Sequence, residues 1–456
     1  MSGALFARHA LLPGGWQDDV RLVWDGAGTL TAVTSGAVRE PGDAAAQLVI
    51  PGMVNLHSHA FQRALGGLTE TAGDGPDSFW TWRDLMYRFA RNITPKHIEA
   101  IAAQLFSECL RHGYTSLCEF HYVQRDQQGA MYARPAETAE RVVAAATLTG
   151  IGLTMLPVLY SYAGFGEQPL KIDQNRFRTD ARDVMQVIEG LAPLRSAQLE
   201  VGVAPHSLRA AAVGQIREVL ASLPPQRPVH IHIAEQQGEV AQSLAATGMR
   251  PVRYLMEQFA IDHRWCLVHA THLDDGEIAS LAASGAVAGL CPTTEANLGD
   301  GLFPLAPYLA AGGRIGIGSD SHVAQSPVEE LRWLEYGQRL QHQQRNVAAS
   351  ARQRRVGDFL WQGALEGGAL ACGRHVGALA AGKRADMLVL DSEHPSLAGV
   401  AAADVLNTFV FCGNDNLVRD VLVGGRWVVR GQRHVAQEAI AQRYMQTIAE
   451  LRTLRS

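Results

Sequence analysis

Residues 48–59 read Leu-Val-Ile-Pro-Gly-Met-Val-Asn-Leu-His-Ser-His, an apolar run that ends in two histidines separated by one residue. Such a run predicts a buried β-strand, and a strand points residues i and i+2 to the same side. His57 and His59 can therefore both reach one metal ion from the carboxyl end of the strand. A His-x-His pair is weak evidence by itself, because such pairs arise by chance. The interpretation depends on whether the rest of the chain supplies further ligands.

The part of the chain that follows alternates short β-rich runs with longer helical patterns, which is typical of a parallel sheet with crossover helices. The helical patterns include residues 95–111, 135–149, 212–222 and 240–247. The eight candidate strands end near His57, His121, Tyr160, His206, His232, His269, Cys291 and Asp320. Eight such units predict the α/β class and a closed (β/α)8 barrel, whose active site lies at the carboxyl ends of the strands. Six of the eight predicted ends carry His or Asp, which favours a single site there.

The two ends of the chain show a different pattern. Residues 1–50 and 376–432 contain short strand-like runs broken by Gly and Asp turns, and each segment is too short to hold a core alone. We expect them to meet in one small, discontinuous β-sandwich beside a barrel domain formed by residues 51–375. Residues 433–456 show helical spacing of apolar side chains and are expected to form a packing helix with no chemical role. These side chains are Ile440, Met445, Ile448 and Leu451.

The composition restricts the class of protein. With 456 residues, 47% hydrophobic and 19% charged, the chain has ample material for a globular core. A net charge of -5 without a basic stripe argues against nucleic acid as a partner. No run of about 18 apolar residues predicts a membrane span, and the amino terminus lacks a signal-peptide pattern. Six scattered cysteines predict buried free thiols, so we expect a cytoplasmic protein that acts on a small molecule.

Further candidate ligands lie at the ends of later strands. Residues 229–235 read Val-His-Ile-His-Ile-Ala-Glu, which places His232 at the strand end as a third metal ligand and His230 deeper in the barrel. Glu235 leaves this strand near the metal and can carry protons. His269, at the rim of the sixth strand, is expected to contact the water on the metal or the departing group. Asp320 ends the eighth strand, completes the ligand set and can accept a proton from that water.

Three imidazoles and one carboxylate, with a position left for water, form a hydrolytic divalent-metal site for which zinc fits best. Zinc lowers the pKa of a bound water to about 7 and so provides hydroxide at neutral pH. Gly316 and Gly318 suit a crowded barrel rim where backbones approach closely. We expect a structural role for His272, whereas His322 fits either a layer behind the ligands or the surface.

At this point the chain resembles the amidohydrolase superfamily over essentially its whole length. The residues that carry the resemblance are His57, His59, His232, His269 and Asp320. Many binuclear members bridge two metals through a carboxylated lysine on strand four, but residues 199–206 contain no lysine, and none of the three lysines lies on a predicted barrel strand. The resemblance therefore implies one metal ion, as in the deaminase branch, to which the His-x-x-Glu of His232 and Glu235 also belongs.

Four longer segments resemble the N-formimino-L-glutamate deiminases of histidine degradation. They are His-Ser-His-Ala-Phe-Gln-Arg (57–63), Ser-Phe-Trp-Thr-Trp-Arg (78–83), Glu-Phe-His-Tyr (119–122) and Ala-Pro-His-Ser-Leu-Arg (204–209). The resemblance implies zinc-dependent hydrolysis of N-formimino-L-glutamate to N-formyl-L-glutamate and ammonia. It also implies one zinc ion per subunit and a homodimer.

A dicarboxylate substrate with an amidine-like head accounts for several polar residues in these segments. Arg83 and Arg209 follow strands one and four, where either can bind a carboxylate through two hydrogen bonds. Tyr122 and His206 lie at strand ends and can donate further hydrogen bonds. Gln62, directly behind the metal dyad, can bind the nitrogen or carboxylate of the backbone-like part of the substrate. In the implied reaction, zinc supplies the attacking hydroxide. Asp320 is implied to act as the base, and His269 to stabilise the developing charge. Glu235 is implied to transfer a proton to the departing nitrogen.

Two alternatives stay open at this point. Another aminohydrolase of the same branch, acting on guanine, cytosine or an adenosine derivative, would use the same metal chemistry, with Trp80 and Trp82 as stacking surfaces. A non-catalytic barrel scaffold is the second alternative, although such proteins usually lose ligands and this chain retains each predicted one. The ligand types fit zinc or iron, and either arginine can take either carboxylate. Residues 66–77, rich in Gly, Thr and Asp, make the 66–83 segment a candidate lid.

Overall fold

The structure, a computed structural model, describes residues 2–72, 75 and 77–453. Strands dominate both ends of the chain, and strands alternate with helices between them. The β-strands are β1 (Gly3–Leu12), β2 (Gly15–Trp24), β3 (Leu30–Thr34), β4 (Ala44–Pro51), β5 (Met53–Ser58), β6 (Tyr114–His121), β7 (Gly152–Leu159), β8 (Leu199–Val201), β9 (Ala204–Pro205), β10 (Val229–Ile233), β11 (Trp265–His269), β12 (Val287–Leu290), β13 (Arg314–Ile317), β14 (Met387–Leu390), β15 (Val418–Val423), β16 (Arg426–Arg430) and β17 (Arg433–His434). The α-helices are α1 (Phe79–Ala90), α2 (Pro95–His112), α3 (Glu137–Thr149), α4 (Ala181–Leu191), α5 (Val213–Ser222), α6 (Gln237–Thr247), α7 (Pro251–Gln258), α8 (Asp275–Ser284), α9 (Pro292–Leu298), α10 (Leu305–Ala310), α11 (Pro327–His342), α12 (Val356–Cys372), α13 (Val405–Phe411) and α14 (Gln437–Thr453).

The middle of the chain forms a TIM-barrel-like array of parallel strands. One half-sheet has the order β5-β6-β7-β8, with β9 beside β7, and the other has the order β10-β11-β12-β13. Single parallel bridges join the halves at both seams, between Val203 and Val229 and between Ser58 and Asp320. The strands end close to the predicted positions. Their carboxyl ends therefore meet at one rim, where the candidate site residues lie.

The barrel strands are buried on both faces, which explains their continuous apolar runs. All residues of β6, β10 and β11 are buried, because helices cover one face and the barrel interior fills the other. The intervening helices have clear sequence boundaries. Helix α2 starts after Thr94, whose side chain accepts a hydrogen bond from the backbone of His97, and ends at Gly113 with φ 108°. Gly113 then accepts a hydrogen bond from Met53, which aligns β6 with β5.

The two chain ends meet in one sheet with the order β17-β16-β15-β14-β4-β1-β2-β3. Strand β14 pairs antiparallel with β4, so that Leu388 lies opposite Ile50 and Val389 opposite Val49. Alternation along these strands gives the sheet two apolar faces. Val49 and Val389 belong to a core of the terminal strands alone. Ile50 and Leu388 belong to the large core that includes the barrel.

Several features differ from the sequence-based expectations. Helix α1 starts directly after Ser78 in the segment considered as a lid, while residues 73, 74 and 76 of that segment lie outside the described residues. Helix α14 packs against α2 through its buried Ile440 and Leu451, but Met445 is 62% exposed because it lies on the opposite face. Residues 454–456 of the expected helix also lie outside the described residues.

The cysteines are free thiols, and five of the six are buried, as the sequence predicts; Cys412 is exposed. Among the described residues, the structure contains no helix with the length and apolar character needed to cross a membrane.

Candidate active site

Four side chains from three barrel strands converge at the rim. The Nε2 atom of His57 lies 3.2 Å from that of His59 and 3.0 Å from that of His232. The Oδ1 atom of Asp320 lies 3.4 Å from His57 Nε2 and 3.3 Å from His59 Nε2. A tetrahedral zinc ion with bonds of about 2.0–2.1 Å holds its ligand atoms about 3.3 Å apart. The separations of these donor atoms therefore fit a zinc ion placed between them.

The protonation of the imidazoles also fits a metal. Nδ1 of His59 lies 2.9 Å from the carbonyl oxygen of Phe120, and Nδ1 of His232 lies 3.0 Å from that of His206. Each Nδ1–H donates to its carbonyl, so the neutral ring leaves Nε2 as a bare lone pair. Burial lowers the pKa of His57, His59 and His232, which keeps these rings neutral. His59 and His232 thus present bare Nε2 atoms next to the Nε2 atom of His57, which is the arrangement of donor atoms that a metal site needs.

Close backbone packing joins the first and eighth strands at this site. A Cβ atom on Gly318 would lie 2.8 Å from the Cβ and N atoms of His57, so a side chain there would push the strands apart. Asn55 bridges the same strands, since its Nδ2 donates to Ser319 Oγ at 2.6 Å and its Oδ1 accepts from Ser319 N at 3.0 Å. Asp320 itself has φ 47°, a left-handed backbone that turns its carboxylate toward the histidines.

The other histidines considered in the sequence have supporting positions. His322 is buried behind the ligands, with Nδ1 2.9 Å from Ser319 Oγ and Nε2 3.2 Å from Ser58 Oγ. It therefore belongs to the layer behind the ligands and not to the surface. His230 lies deeper in the barrel, with Nε2 2.8 Å from the carbonyl oxygen of Ala371, as expected.

His269 and Glu235 lie beside the four ligands. His269 Nε2 is 3.7 Å from Glu235 Oε1 and 3.7 Å from Asp320 Oδ2, and its Nδ1 is 3.2 Å from Glu295 Oε1. Burial opposes a charge on His269, but the carboxylates of Glu235, Glu295 and Asp320 raise its pKa to about 10. Burial raises the pKa of Glu235 to about 7. The pair thus combines a protonated imidazole with a carboxyl group that can exchange protons near neutral pH.

A pocket opens directly onto these residues. All five residues expected to bind substrate line it, together with His59, His232, Glu235, His269 and Asp320. The five are Gln62, Arg83, Tyr122, His206 and Arg209.

The two arginines occupy the side of the pocket bordered by α1. The guanidinium carbon of Arg83 lies 4.6 Å from the ring centre of Trp80, and that of Arg209 lies 5.7 Å from the same ring. The Nε atoms of both arginines are buried and have no hydrogen-bond partner among the described residues. The same holds for Oε1 of Gln62, whose Nε2 donates to Tyr122 Oη at 2.7 Å. Buried polar atoms are normally paired, so these atoms are suited to a polar ligand.

The sequence missed several residues of the site. Tyr87 and Tyr160 line the pocket and share a hydrogen bond of 2.9 Å between their hydroxyl groups. Tyr160 lies at a predicted strand end, which was a usable signal. Glu295 follows the seventh strand, where it holds His269 Nδ1 and accepts from the backbone N–H of Cys291 at 2.8 Å. No local pattern distinguishes Glu295 from a helix-capping carboxylate.

His121 is a strand-end histidine that does not reach the site. Its Nε2 lies 3.0 Å from Thr138 Oγ1 on α3, outside the barrel. Strand alternation turns Phe120 and Tyr122 inward, where both rings pack against His59, and so turns His121 outward. Glu119 shares the outward side and accepts hydrogen bonds from Ser58 Oγ at 2.7 Å and Ala60 N at 2.8 Å.

Three neutral imidazoles and a carboxylate, open to a pocket with an acid–base pair beside it, have the geometry of a metal-dependent hydrolase. Sequence comparison agrees with this class. The chain belongs to the amidohydrolase family, whose model matches residues 48–428. A second model, described as the N-terminal domain of formimidoylglutamate deiminase HutF, matches residues 2–47. The resemblance found in the sequence is thereby confirmed, and the chain is a hydrolase.

Individual relatives agree with this assignment. The chain is 52% identical to a formimidoylglutamate deiminase of Pseudomonas aeruginosa, over 98% of this chain and 99% of that protein. A crystal structure of an amidohydrolase from Brucella melitensis is 42% identical and superposes with a TM-score of 0.94, covering 98% of this chain and 99% of that one. An adenosine deaminase from Xanthomonas campestris with bound zinc shares the fold, with a TM-score of 0.80 at 21% identity, covering 99% and 98% of the two chains.

Proposed function

We propose that this enzyme hydrolyses N-formimino-L-glutamate to N-formyl-L-glutamate and ammonia in histidine degradation. The observation that carries the proposal is the charge pattern of the pocket. Two arginines, whose Nε atoms have no hydrogen-bond partner among the described residues, line the same pocket as the carboxylates of Glu235 and Asp320 and the histidine cluster. A substrate with two carboxylates and a cationic amidine head matches this pattern. The 52% identical relative named for this activity supports the same substrate.

The arginines are proposed to bind the two carboxylates. A guanidinium group presents donors in a planar fork that matches a carboxylate, and burial strengthens the charged hydrogen bonds. Tyr122 and His206 line the same pocket with their rings packed against His59 and His232, so they can orient the part of the substrate next to the histidine cluster. Gln62 is held by Tyr122 and keeps one free acceptor atom, Oε1, which suits the N–H of the formimino group.

The reaction is proposed to start with hydrolytic attack at the formimino carbon. A zinc ion held by His57, His59, His232 and Asp320 would supply a water with a pKa near 7. Asp320 accepts one proton of the attacking water as the new C–O bond forms. His269, kept protonated by the surrounding carboxylates, donates a hydrogen bond to the developing charge. Glu235 delivers a proton to the terminal nitrogen, the C–N bond to that nitrogen breaks, and ammonia leaves.

The test is a measurement of products. Zinc-loaded protein given N-formimino-L-glutamate should release ammonia and N-formyl-L-glutamate in equal amounts, detected by an ammonia assay and mass spectrometry. Cleavage of the other C–N bond would instead give L-glutamate and formamide. Guanine, cytosine and S-adenosylhomocysteine serve as parallel substrates. Preferred turnover of guanine, cytosine or S-adenosylhomocysteine, or formation of formamide, would contradict the proposal.

The assembly and domain organisation are also proposals. We expect a closed barrel of residues 51–375, a β-sandwich of residues 1–50 and 376–432, and one zinc ion per subunit of a cytoplasmic homodimer. Self-association is supported by an exposed apolar stripe on α11 formed by Trp333, Tyr336 and Leu340. Light scattering on the purified protein measures the assembly, and a monomeric mass would contradict it.

A further inference from the structure

A second group of metal-binding side chains adjoins the proposed zinc site. Glu235, His269 and Asp300 are all buried, and each offers one ligand atom, with these three atoms within 4.8 Å of one another. Asp300 has no part in the reaction described above, and it is not among the residues that line the substrate pocket. Its position beside the proton-carrying pair therefore calls for a separate explanation.

Asp300 is fixed in place but incompletely satisfied. Its backbone N–H donates to the carbonyl of Glu295 at 2.9 Å, and its carbonyl oxygen lies 2.8 Å from His272 Nε2. On its side chain, Oδ1 accepts from Gln236 Nε2. The other oxygen, Oδ2, is buried without a hydrogen-bond partner among the described residues, and the residue is only 5% exposed. A rigid carboxylate with a bare buried oxygen is suited to a cation.

The charged groups around the Asp300 carboxylate also favour a bound cation. Glu235, Glu295, Asp300 and Asp320 surround His269, and Glu235, Glu295 and Asp320 lie within 3.7 Å of its ring nitrogens. Asp320 belongs to the proposed first zinc site, and one imidazolium cannot neutralise the other three carboxylates. Protons or a cation must supply the remaining positive charge, since unpaired buried charges are strongly unfavourable.

We propose that a second divalent cation binds between Glu235, His269 and Asp300 and inhibits the enzyme. Two carboxylate oxygens and one imidazole nitrogen are ligands that zinc accepts, with bonds of about 2.0–2.2 Å. Three ligand atoms of one such ion lie at most about 3.8 Å from one another. The ligand atoms of the three side chains lie within 4.8 Å of one another, so they need to close by up to about 1 Å. As the ion binds, His269 releases its Nε2 proton to solvent, and the ion takes that lone pair together with a lone pair of Glu235. Glu235 can then no longer deliver its proton and His269 no longer donates its hydrogen bond, so turnover stops.

Binding of the second ion is inferred from the positions of the three ligands, whereas inhibition rests on the roles that the proposed function gives to Glu235 and His269. The experiment starts from enzyme loaded with one equivalent of zinc and dialysed against increasing Zn2+. Bound zinc per chain is counted by mass spectrometry of the metal, and the hydrolysis rate is measured on the same samples. We expect a second equivalent to bind, with loss of rate over the same range of Zn2+ concentration.

Asp300→Asn is the test variant, because it removes one ligand of the second ion and none of the first. Loss of a group that only orients a ligand weakens metal binding by about 10–100-fold. Loss of the ligand itself should therefore weaken the second ion by about tenfold or more, while the first ion stays bound. Asp415→Asn is the matched control, since Asp415 lies 3.5 Å from His394 in a surface pair that offers weak zinc binding elsewhere. Its curves should coincide with those of the unmodified enzyme.

The possible results separate the two proposals. Saturation at one zinc ion, or equal binding of a second ion by the unmodified enzyme and Asp300→Asn, overturns the second site. If the second ion binds through Asp300 and the rate is unchanged, the site stands but its inhibitory effect fails, and with it the proton-carrying roles in the proposed function. If Asp300→Asn does not fold, Glu235→Gln replaces it in the binding measurement, because it also removes a ligand of the second ion only.

Discussion

The Nε2 atoms of His57 and His232 lie 3.0 Å apart, although the two residues are separated by 175 positions in the chain. The contact crosses the barrel from the first strand to the fifth. Both rings are buried, and burial lowers the pKa of each, which keeps them neutral. Attraction between opposite charges therefore does not explain their proximity. Two ligands of one zinc ion have a similar separation, and a metal ion between the rings is the proposed explanation.

Replacing Asp320 by Asn should remove both a metal ligand and the base. We expect turnover to fall by at least about 10²–10⁴-fold, the usual contribution of a positioned acid–base group, and zinc content to fall with it. Steady-state kinetics and metal analysis on the same preparation measure the two effects. Near-normal turnover would remove Asp320 from the mechanism.

Replacing His269 by Asn separates chemistry from metal binding. His269 touches Asp320 and Glu235 but is not one of the four ligands, so zinc content should stay at one equivalent while kcat falls by orders of magnitude. A variant that lost zinc along with activity would show that His269 is needed to assemble the metal site.

Replacing Arg209 by Met should chiefly weaken substrate capture. Hydrogen bonds to charged groups contribute about 1.5–3 kcal/mol, which corresponds to a loss of about 10–150-fold in kcat/KM. Arg217→Met is the matched control, because Arg217 is an exposed arginine that also packs over an aromatic ring, Phe259. Unchanged kcat/KM in Arg209→Met would exclude this arginine from substrate binding.

Replacing Gly318 by Ala should disturb the metal site through the backbone. The added Cβ would lie 2.8 Å from the Cβ and N atoms of His57, so the eighth strand must move away from the first and carry Asp320 with it. We expect weaker zinc retention during dialysis and a lower melting temperature. Gly214→Ala, on α5 with no atom within 4 Å of the new Cβ, should leave zinc retention unchanged. Equal zinc retention in both variants would contradict the packing argument.

The pH dependence of stability should contain a contribution from His121. Burial lowers the pKa of His121 to about 3, whereas a histidine in the unfolded chain has a pKa of about 6.5. Between these values the unfolded state binds more protons, so the stabilisation is complete above about pH 6.5 and is lost as the pH falls toward 3. The slope from one proton is about 1.4 kcal/mol per pH unit.

Denaturant titrations from pH 4 to pH 8 measure this slope. His121→Gln should flatten the curve in the acidic range, whereas exposed His342→Gln should not. Parallel curves for the unmodified protein and His121→Gln would show that His121 does not stay neutral in the folded state.

Local sequence patterns determined a large part of the site. The two-residue spacing of His57 and His59 fixed their common direction, because it depends only on strand geometry. The alternation of strands and helices located the strand ends, and the glycines at 316 and 318 marked where the rim is crowded. The segments around Arg83 and Arg209 predicted a pocket for carboxylates, and both arginines line the pocket that opens onto the histidine cluster.

Only the tertiary structure decided which strand-end residues face the barrel interior and which loops meet there. His121 satisfies the sequence pattern yet points to α3, because the inward positions of its strand are taken by Phe120 and Tyr122. Glu295 and Asp300 follow a strand end without a distinctive pattern, and they join His269 only because the strands curve into one rim. The alternation of side chains along a strand is a local property of the chain. Contacts at the barrel rim arise from packing between segments that are far apart in the sequence, 26 residues for Glu295 and His269 and 175 for His57 and His232.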